Sequence, residues 1–219
     1  MTTLASSAAA TPLTLEYLVH HDAEIQSTNG TLEFEDFSAH LSGAPGEDLS
    51  RFLVIPLVDG LRLEVTSGEF LPTGAELFLH FEVETEDDDH HPHHSKPSDP
   101  IRSMSLALTG GSVLSTLSGE MVAIPDDDDD HHHHPSTPLA EVVAALVTPP
   151  GPYGAADFSK PSHEFYAAAT FRAGDGYPGA DASTGAEMRF STQPIPEPSS
   201  ALLLGLGLLL LSRRGGARS

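Results

Sequence analysis

Leu77-Phe78-Leu79-His80-Phe81-Glu82-Val83-Glu84 is the stretch that decides the fold. Leu77, Leu79, Phe81 and Val83 fall on every second position, with Phe78, His80, Glu82 and Glu84 between them. Successive side chains of an extended chain point to opposite faces, so this segment has one apolar face and one largely charged face. That is how a half-buried strand of an antiparallel sheet reads. The same period recurs on both sides. Leu13, Leu15, Tyr17 and Val19 alternate with Thr14, Glu16, Leu18 and His20. After an Asn29-Gly30 turn signal, Leu32 and Phe34 alternate with Glu33 and Glu35. Leu61, Leu63 and Val65 alternate with Arg62, Glu64 and Thr66, and Phe165 to Arg172 alternates again.

Met104–Leu108 and Val113–Ile124 are expected to form a hairpin around Gly110-Gly111. Leu139–Val147 suits strand or helix, and Glu187–Ser191 reads as a last strand. Turn signals at Gly43 to Gly46, Asp59-Gly60, Pro72 to Gly74, Pro149 to Gly154 and Gly174 to Gly179 separate the apolar runs. Eight to ten short strands so spaced predict an all-β fold over residues 12–192. The expected architecture is an antiparallel β-sandwich, with a jelly-roll-like variant close to it.

Composition narrows the function. Residues 1–195 carry 31 acidic side chains against seven basic ones. A body so acidic repels phosphate backbones, which excludes nucleic-acid binding and favours cations or basic partners. Cysteine is absent, which excludes disulfides and thiolate chemistry. Tryptophan is absent too, which weighs against an aromatic platform for carbohydrate.

The C-terminus has a different character. Pro194, Ile195 and Pro196-Glu197-Pro198 precede Ala201–Leu211, an uncharged block of Leu, Gly and Ala, and Arg213-Arg214 close it. A helix packed on a domain keeps a polar stripe; one that is apolar all round belongs in a core or a membrane. The segment from Pro198 to Ser212 spans about 22 Å as a helix. A bilayer core is about 30 Å thick and asks for roughly 20 apolar residues. The block therefore reads as a short transmembrane helix over 199–212, a temporary anchor rather than a permanent one. Arg213 and Arg214 act as a membrane stop, with the basic tail 213–219 on the cytoplasmic side and residues 1–197 outside.

In this order and place, Pro196, Glu197, Pro198, the Leu/Gly helix and the arginine cluster resemble the PEP-CTERM sorting signal of Gram-negative bacteria. This segment type is also called the ice-binding protein C-terminal domain. The resemblance covers residues 193–219. It implies a substrate of an exosortase, a membrane-embedded cysteine protease-transpeptidase that recognises the motif and removes the helix. It further implies transient contact with the inner membrane, a mature form at the cell surface or in the extracellular matrix, and association with biofilm and exopolysaccharide. Gly30-Thr-Leu-Glu-Phe-Glu-Asp-Phe-Ser38, Asp59-Gly-Leu-Arg-Leu63 and Leu77–Thr85 also resemble a recurrent ectodomain type of such proteins.

Export calls for an N-terminal signal. Residues 1–11 lack a basic region and a long apolar run, although Ala8-Ala9-Ala10 resembles a cleavage site. They are expected to be the remnant of a signal peptide or a disordered start, with Met1 an internal methionine of a longer reading frame.

Two segments interrupt the strand pattern, over 86–100 and 125–138. The first holds Asp87, Asp88, Asp89, His90, His91, His93 and His94. The second holds Asp126, Asp127, Asp128, Asp129, Asp130, His131, His132, His133 and His134. Imidazole and carboxylate together are ligands for zinc, copper or nickel, and the aspartates alone suit calcium. Repetition fixes no coordination geometry, so weak divalent-metal binding is expected and no resident cofactor. If strands 77–85, 101–108 and 113–124 run as a meander, both runs emerge at one end of the domain. No Gly-x-Ser-x-Gly elbow and no HExxH helix occurs. His20-His21-Asp22 and His163-Glu164 read as turns at strand ends. Glu33 and Glu35 are expected on a solvent-facing sheet surface. Asn29-Gly30-Thr31 fits a glycosylation sequon, but a tight turn explains it fully. The leading expectation is a non-enzymatic exported protein of structural or binding type; the alternative is a metal-binding module built on the two Asp/His segments.

Overall fold

The computed structural model describes residues 11–43, 48–85, 98–109, 117–125, 137–146, 152–174 and 185–193. In chain order these form β1 (Leu13–Thr14), α1 (Leu15–His21), β2 (Ile25–Gln26), β3 (Leu32–Ser42), a short 3-10 turn at Leu49–Arg51, β4 (Phe52–Pro56) and β5 (Gly60–Val65). There follow β6 (Glu76–Thr85), β7 (Ile101–Thr109), β8 (Leu117–Pro125), β9 (Ala140–Ala145), β10 (Tyr153–Ser162), β11 (Glu164–Ala173) and β12 (Gly185–Ser191).

The strands make two six-stranded sheets. Sheet A has the order β1-β4-β5-β12-β7-β10, and sheet B the order β2-β3-β6-β11-β8-β9. Every pairing is antiparallel. The period-two pattern decides which side faces inward. Leu77, Leu79, Phe81 and Val83 of β6 are wholly buried, as are Phe165, Ala167, Ala169 and Phe171 of β11. Sheet A answers with Leu61 and Leu63 of β5 and Ala186, Met188 and Phe190 of β12. Phe190 bridges the layers, with ring centroids 6.1 Å from Phe34, 6.3 Å from Phe81 and 5.5 Å from Phe165. Each fully buried side chain of this size contributes about 1.5–3 kcal/mol. β12 also runs close over the start of β5: a Cβ on Gly60 would lie 2.0 Å from the Met188 carbonyl oxygen.

Four expectations need correction. Residues 15–21 are a helix, not part of a strand. Thr14 caps it by accepting from the Tyr17 amide at 3.2 Å, and Asp22 ends it in the left-handed region at φ 45°. Leu15 and Leu18 are its buried pair, three residues apart as a helix requires. The alternating pattern had put Leu18 on the polar side, and that misplaced leucine was the helix signal. Secondly, β7 and β8 are not a hairpin: β7 lies between β12 and β10, while β8 lies between β11 and β9 in the other sheet. Thirdly, β6, β7 and β8 are not a meander, because β7 crosses to sheet A and β11 takes the place between β6 and β8. Both mistakes share one cause. Neighbours along the chain were assumed to pair, whereas a long connection also allows a crossing to the facing layer. Finally, residues 153–162 form β10, a strand that the sequence reading did not place; it takes in Tyr153 and Gly154 from the end of the turn expected at Pro149 to Gly154. β10 is an edge strand of mostly exposed and half-exposed residues, and its register with β7 shifts between Asp157 and Ser162. Edge strands lack the clean alternation that betrays central ones.

Leu139–Val147, open between two states, contains strand β9. Among the described residues no helix is long and apolar enough to cross a membrane. The expected helix 199–212 lies outside them.

Candidate functional site

One end of the sandwich gathers the strand ends that lead into the segments to which the sequence assigned function. The chain leaves β6 at Thr85 and β8 at Pro125. On β11 between them, Phe165 faces Val83 on one side and Pro125 on the other. The two exits are therefore two strand spacings apart, about 10 Å. The same end holds the turn 27–31, the turn 57–59, Ser98 and Asp99 ahead of β7, and Thr192-Gln193 after β12. The Ser103 hydroxyl fastens that last segment by donating to the Gln193 carbonyl at 2.8 Å.

The candidate ligands Asp87, Asp88, Asp89, His90, His91, His93, His94, Asp126–Asp130 and His131–His134 lie outside the described residues, as do Pro196, Glu197, Pro198, Arg213 and Arg214. Their stems are described, and the expectation that both Asp/His segments start from one end holds for those stems. It holds for a different reason than the meander: β6 and β8 run in the same direction because each pairs antiparallel with β11. Among the described residues, no group of three or more histidines and carboxylates is placed to hold a metal ion. His20 and His21 close the last turn of α1, with Asp22 as its cap.

A cavity of ≈ 590 Å³ opens at this end between the two sheets. Leu32, Val58 and Phe190 are its apolar lining, of which only Val58 is exposed, and Asn29, Thr31, Asp59, Ser98 and Asp99 are prominent among its polar lining. Several of the polar groups are held in place. The Asn29 Oδ1 accepts from the Ser27 hydroxyl at 2.9 Å and from the Thr31 amide and hydroxyl at 3.3 and 2.9 Å. The Thr85 hydroxyl lies 2.8 Å from the Ser98 hydroxyl and 3.1 Å from His163 Nδ1, and Ser98 is 3.3 Å from the same nitrogen. A serine so close to a histidine invites comparison with a hydrolytic dyad. Among the described residues, however, no carboxylate bonds the far nitrogen of His163, and the long Ser98 contact is shared with Thr85. The trio reads as a fastening between β6, the approach to β7 and the β10–β11 turn.

Asp59, on the cavity rim, is held by a charged chain on the outer face of sheet A. Arg189 Nη1 donates to Asp59 Oδ1 at 2.6 Å, and Arg189 Nε and Nη2 donate to Glu187 Oε2 at 3.1 and 2.9 Å. Arg62 Nε and Nη2 reach Glu187 Oε1 at 2.9 and 2.6 Å. Burial would raise the Glu187 carboxyl, but the bonds from Arg189 and Arg62 outweigh it and hold it below the usual carboxylate value.

The outer face of sheet B is the feature that sequence reading missed. Register sets Glu33, Glu84 and Glu164 in one row across β3, β6 and β11, and Glu35, Glu82 and Tyr166 in the next. Glu33 and Glu35 do face outward as expected, but they are half-buried members of a larger carboxylate patch. Glu82 is only 6 % exposed. Its carboxyl is pushed up to about 8, first by burial, then by its hydrogen bond with Glu164 and the charges of Glu164 and Glu35; a bond from Tyr166 pulls the other way. Burial and the surrounding carboxylates raise Glu35 as well. Burial lowers His80, with Asp36 opposing; its ring stacks on Tyr166 at 5.0 Å. The repeated Glu-x-Glu spacing of β3 and β6 was visible in the sequence, but the pairing that brings both to Glu164 was not.

Residues 194–218 match the family model of the PEP-CTERM protein-sorting motif. Among curated proteins none matches the chain.

Proposed function

From a chain that carries the PEP-CTERM sorting motif, the mark of an exported exosortase substrate, we propose a non-enzymatic surface or matrix protein whose β-sandwich is the working part and whose tail is a removable address. The motif at residues 194–218 carries this reading. The structure supports it through the place where the tail departs. Gln193 leaves the rim of the cavity, and the seven residues 194–200 separate it from the apolar block. Seven residues reach at most about 25 Å, so a precursor held by the block keeps this end of the sandwich near the bilayer. Cutting after Pro198 frees it. Mass spectrometry of the surface form should find a chain ending near Pro198. A mature chain that retains Leu202–Leu211 would make the block a plain anchor and overturn the reading.

A second reading is supported by the paired exits. The aspartate runs begin two residues after Thr85 and one residue after Pro125, at stems about 10 Å apart. On this reading both runs serve one pool of weakly held divalent ions, and the protein buffers metal at the surface. Calorimetric titration with zinc, nickel and calcium tests it. The reading predicts heat that disappears when residues 86–97 and 126–136 are replaced by short Gly-Ser links, and equal heats from the two proteins would refute it.

A further inference from the structure

We propose that Asn29 is the site of a spontaneous covalent change, conversion of its carboxamide to a carboxylate with loss of ammonia, and that the 27–31 turn holds this change back while the β2–β3 hairpin stays closed. The inference stands apart from the reading of the tail and does not rest on it. The sequence singles the position out. Asn29 is the only asparagine in 219 residues, and Gly30 follows it directly. Asparagine is a thermolabile residue, and glycine has no Cβ to shield its backbone nitrogen from the carboxamide before it. In an open chain the Gly30 N–H loses its proton to hydroxide, and the nitrogen attacks Asn29 Cγ. The N–Cγ bond forms and the Cγ–Nδ2 bond breaks, with Nδ2 taking a proton from water and leaving as ammonia. A second water opens the resulting succinimide ring. Cleavage of its N–Cγ bond gives aspartate; cleavage between the nitrogen and the backbone carbonyl carbon gives isoaspartate.

In the folded protein both reacting groups are held. The Gly30 N–H donates to the Ser27 carbonyl at 2.9 Å, so the proton that must leave first is already bonded. Asn29 Oδ1 accepts from the Ser27 hydroxyl at 2.9 Å and from the Thr31 hydroxyl and amide at 2.9 and 3.3 Å, which fixes the carboxamide. The anchor is firm. Ser27 is 4 % exposed, its hydroxyl accepts from the Leu32 amide at 2.9 Å, and its own amide donates to the Leu32 carbonyl at 2.8 Å. Asn29 itself is exposed, so water reaches it as soon as the turn opens. The rate of the change is then set by how often the turn opens. The two products differ in fit. Aspartate keeps an Oδ1 for the same three donors and suits the same turn. Isoaspartate routes the backbone through Cγ, adds a carbon to the chain between β2 and β3, and disturbs the register that sets Ile25 opposite Phe34.

The test incubates the full chain in mild detergent at mildly alkaline pH, with and without urea, and follows it by intact mass and peptide mapping. Asn29 should gain its single mass unit about tenfold more slowly, or slower still, in the folded chain than in urea. Hydrogen exchange of the Gly30 amide, which begins with loss of the same proton, should be slowed in parallel. Ser27→Ala removes the anchor and should speed both processes about threefold or more in the folded state. Thr31→Val removes one exposed donor and should speed the mass gain about twofold. Asn29→Asp should show no gain. The proposal is overturned by equal rates with and without urea, by no gain in urea, or by a gain confined to Gln26 or Gln193. A Ser27→Ala rate at or below the parent's overturns it as well, because the donors to Oδ1 would then be promoting the step. If Ser27→Ala does not fold, Thr31→Val decides alone, and an unchanged rate in that variant overturns the proposal.

Discussion

The two outer faces of the sandwich use the same residue type in opposite ways. On sheet A, Glu187 has a side chain 14 % exposed and sits between Arg62 and Arg189, each within 3 Å. On sheet B, Glu82 is 6 % exposed and sits among Glu35, Glu84 and Glu164. Burial works against ionisation at both sites. Two guanidinium groups overcome it for Glu187, which stays charged, whereas neighbouring carboxylates reinforce it for Glu82, which keeps its proton at neutral pH. The lesson is that a buried carboxylate is read from its cross-strand neighbours, and those are set by register.

The largest effect should come from the core that both faces share. Phe190→Ala removes the ring that touches Phe34, Phe81 and Phe165 and should cost about 3–5 kcal/mol in urea unfolding. A loss below about 1 kcal/mol would mean that the two layers do not meet as described.

Next comes Glu82→Gln, with the opposite sign. A folded-state value raised above 4.5 to about 8 means that stability from this group is complete below about pH 4.5. It then falls as pH rises to about 8. Glutamine keeps a hydrogen-bond donor towards Glu164 without a proton to lose. The variant should be more stable than the parent by about 3 kcal/mol at pH 7 and equal to it near pH 4. A variant destabilised at both pH values would contradict the description of Glu82 as a protonated carboxyl among carboxylates.

The smaller counterpart is Arg62→Met. Glu187, held below its usual value, contributes stability that is present above pH 4.5 and lost as pH falls below it. Arg62 is partly exposed, so its loss should cost about 1 kcal/mol at pH 7. Denaturation at pH 3 should show the difference shrinking; a constant penalty would assign the effect to packing of the arginine stem instead.

Much of this was legible in the chain. Alternation in 32–35, 61–65, 77–84 and 165–172 marked central strands and their inward faces, because the side-chain period of an extended chain is two whatever its partners. The C-terminal motif was legible for a different reason: its Pro-Glu-Pro, apolar block and arginines are contiguous and need no fold to be recognised. Helix α1 was hidden by an alternation that also fits a short helix. β10 was hidden because an edge strand buries too little to impose a pattern.

The sequence by itself determined an all-β body with a buried face on each long strand, a strongly acidic surface and a sorting address at the C-terminus. Only the tertiary structure decided that β11 separates β6 from β8, that Glu82 meets Glu164, that Asp59 is held by Arg189, and that the cavity, the Asp/His stems and Gln193 share one end. The reason is physical. Periodicity is a property of one strand and is written along it, whereas pairing between residues as distant as Asp59 and Arg189 depends on which strands the packed core brings together.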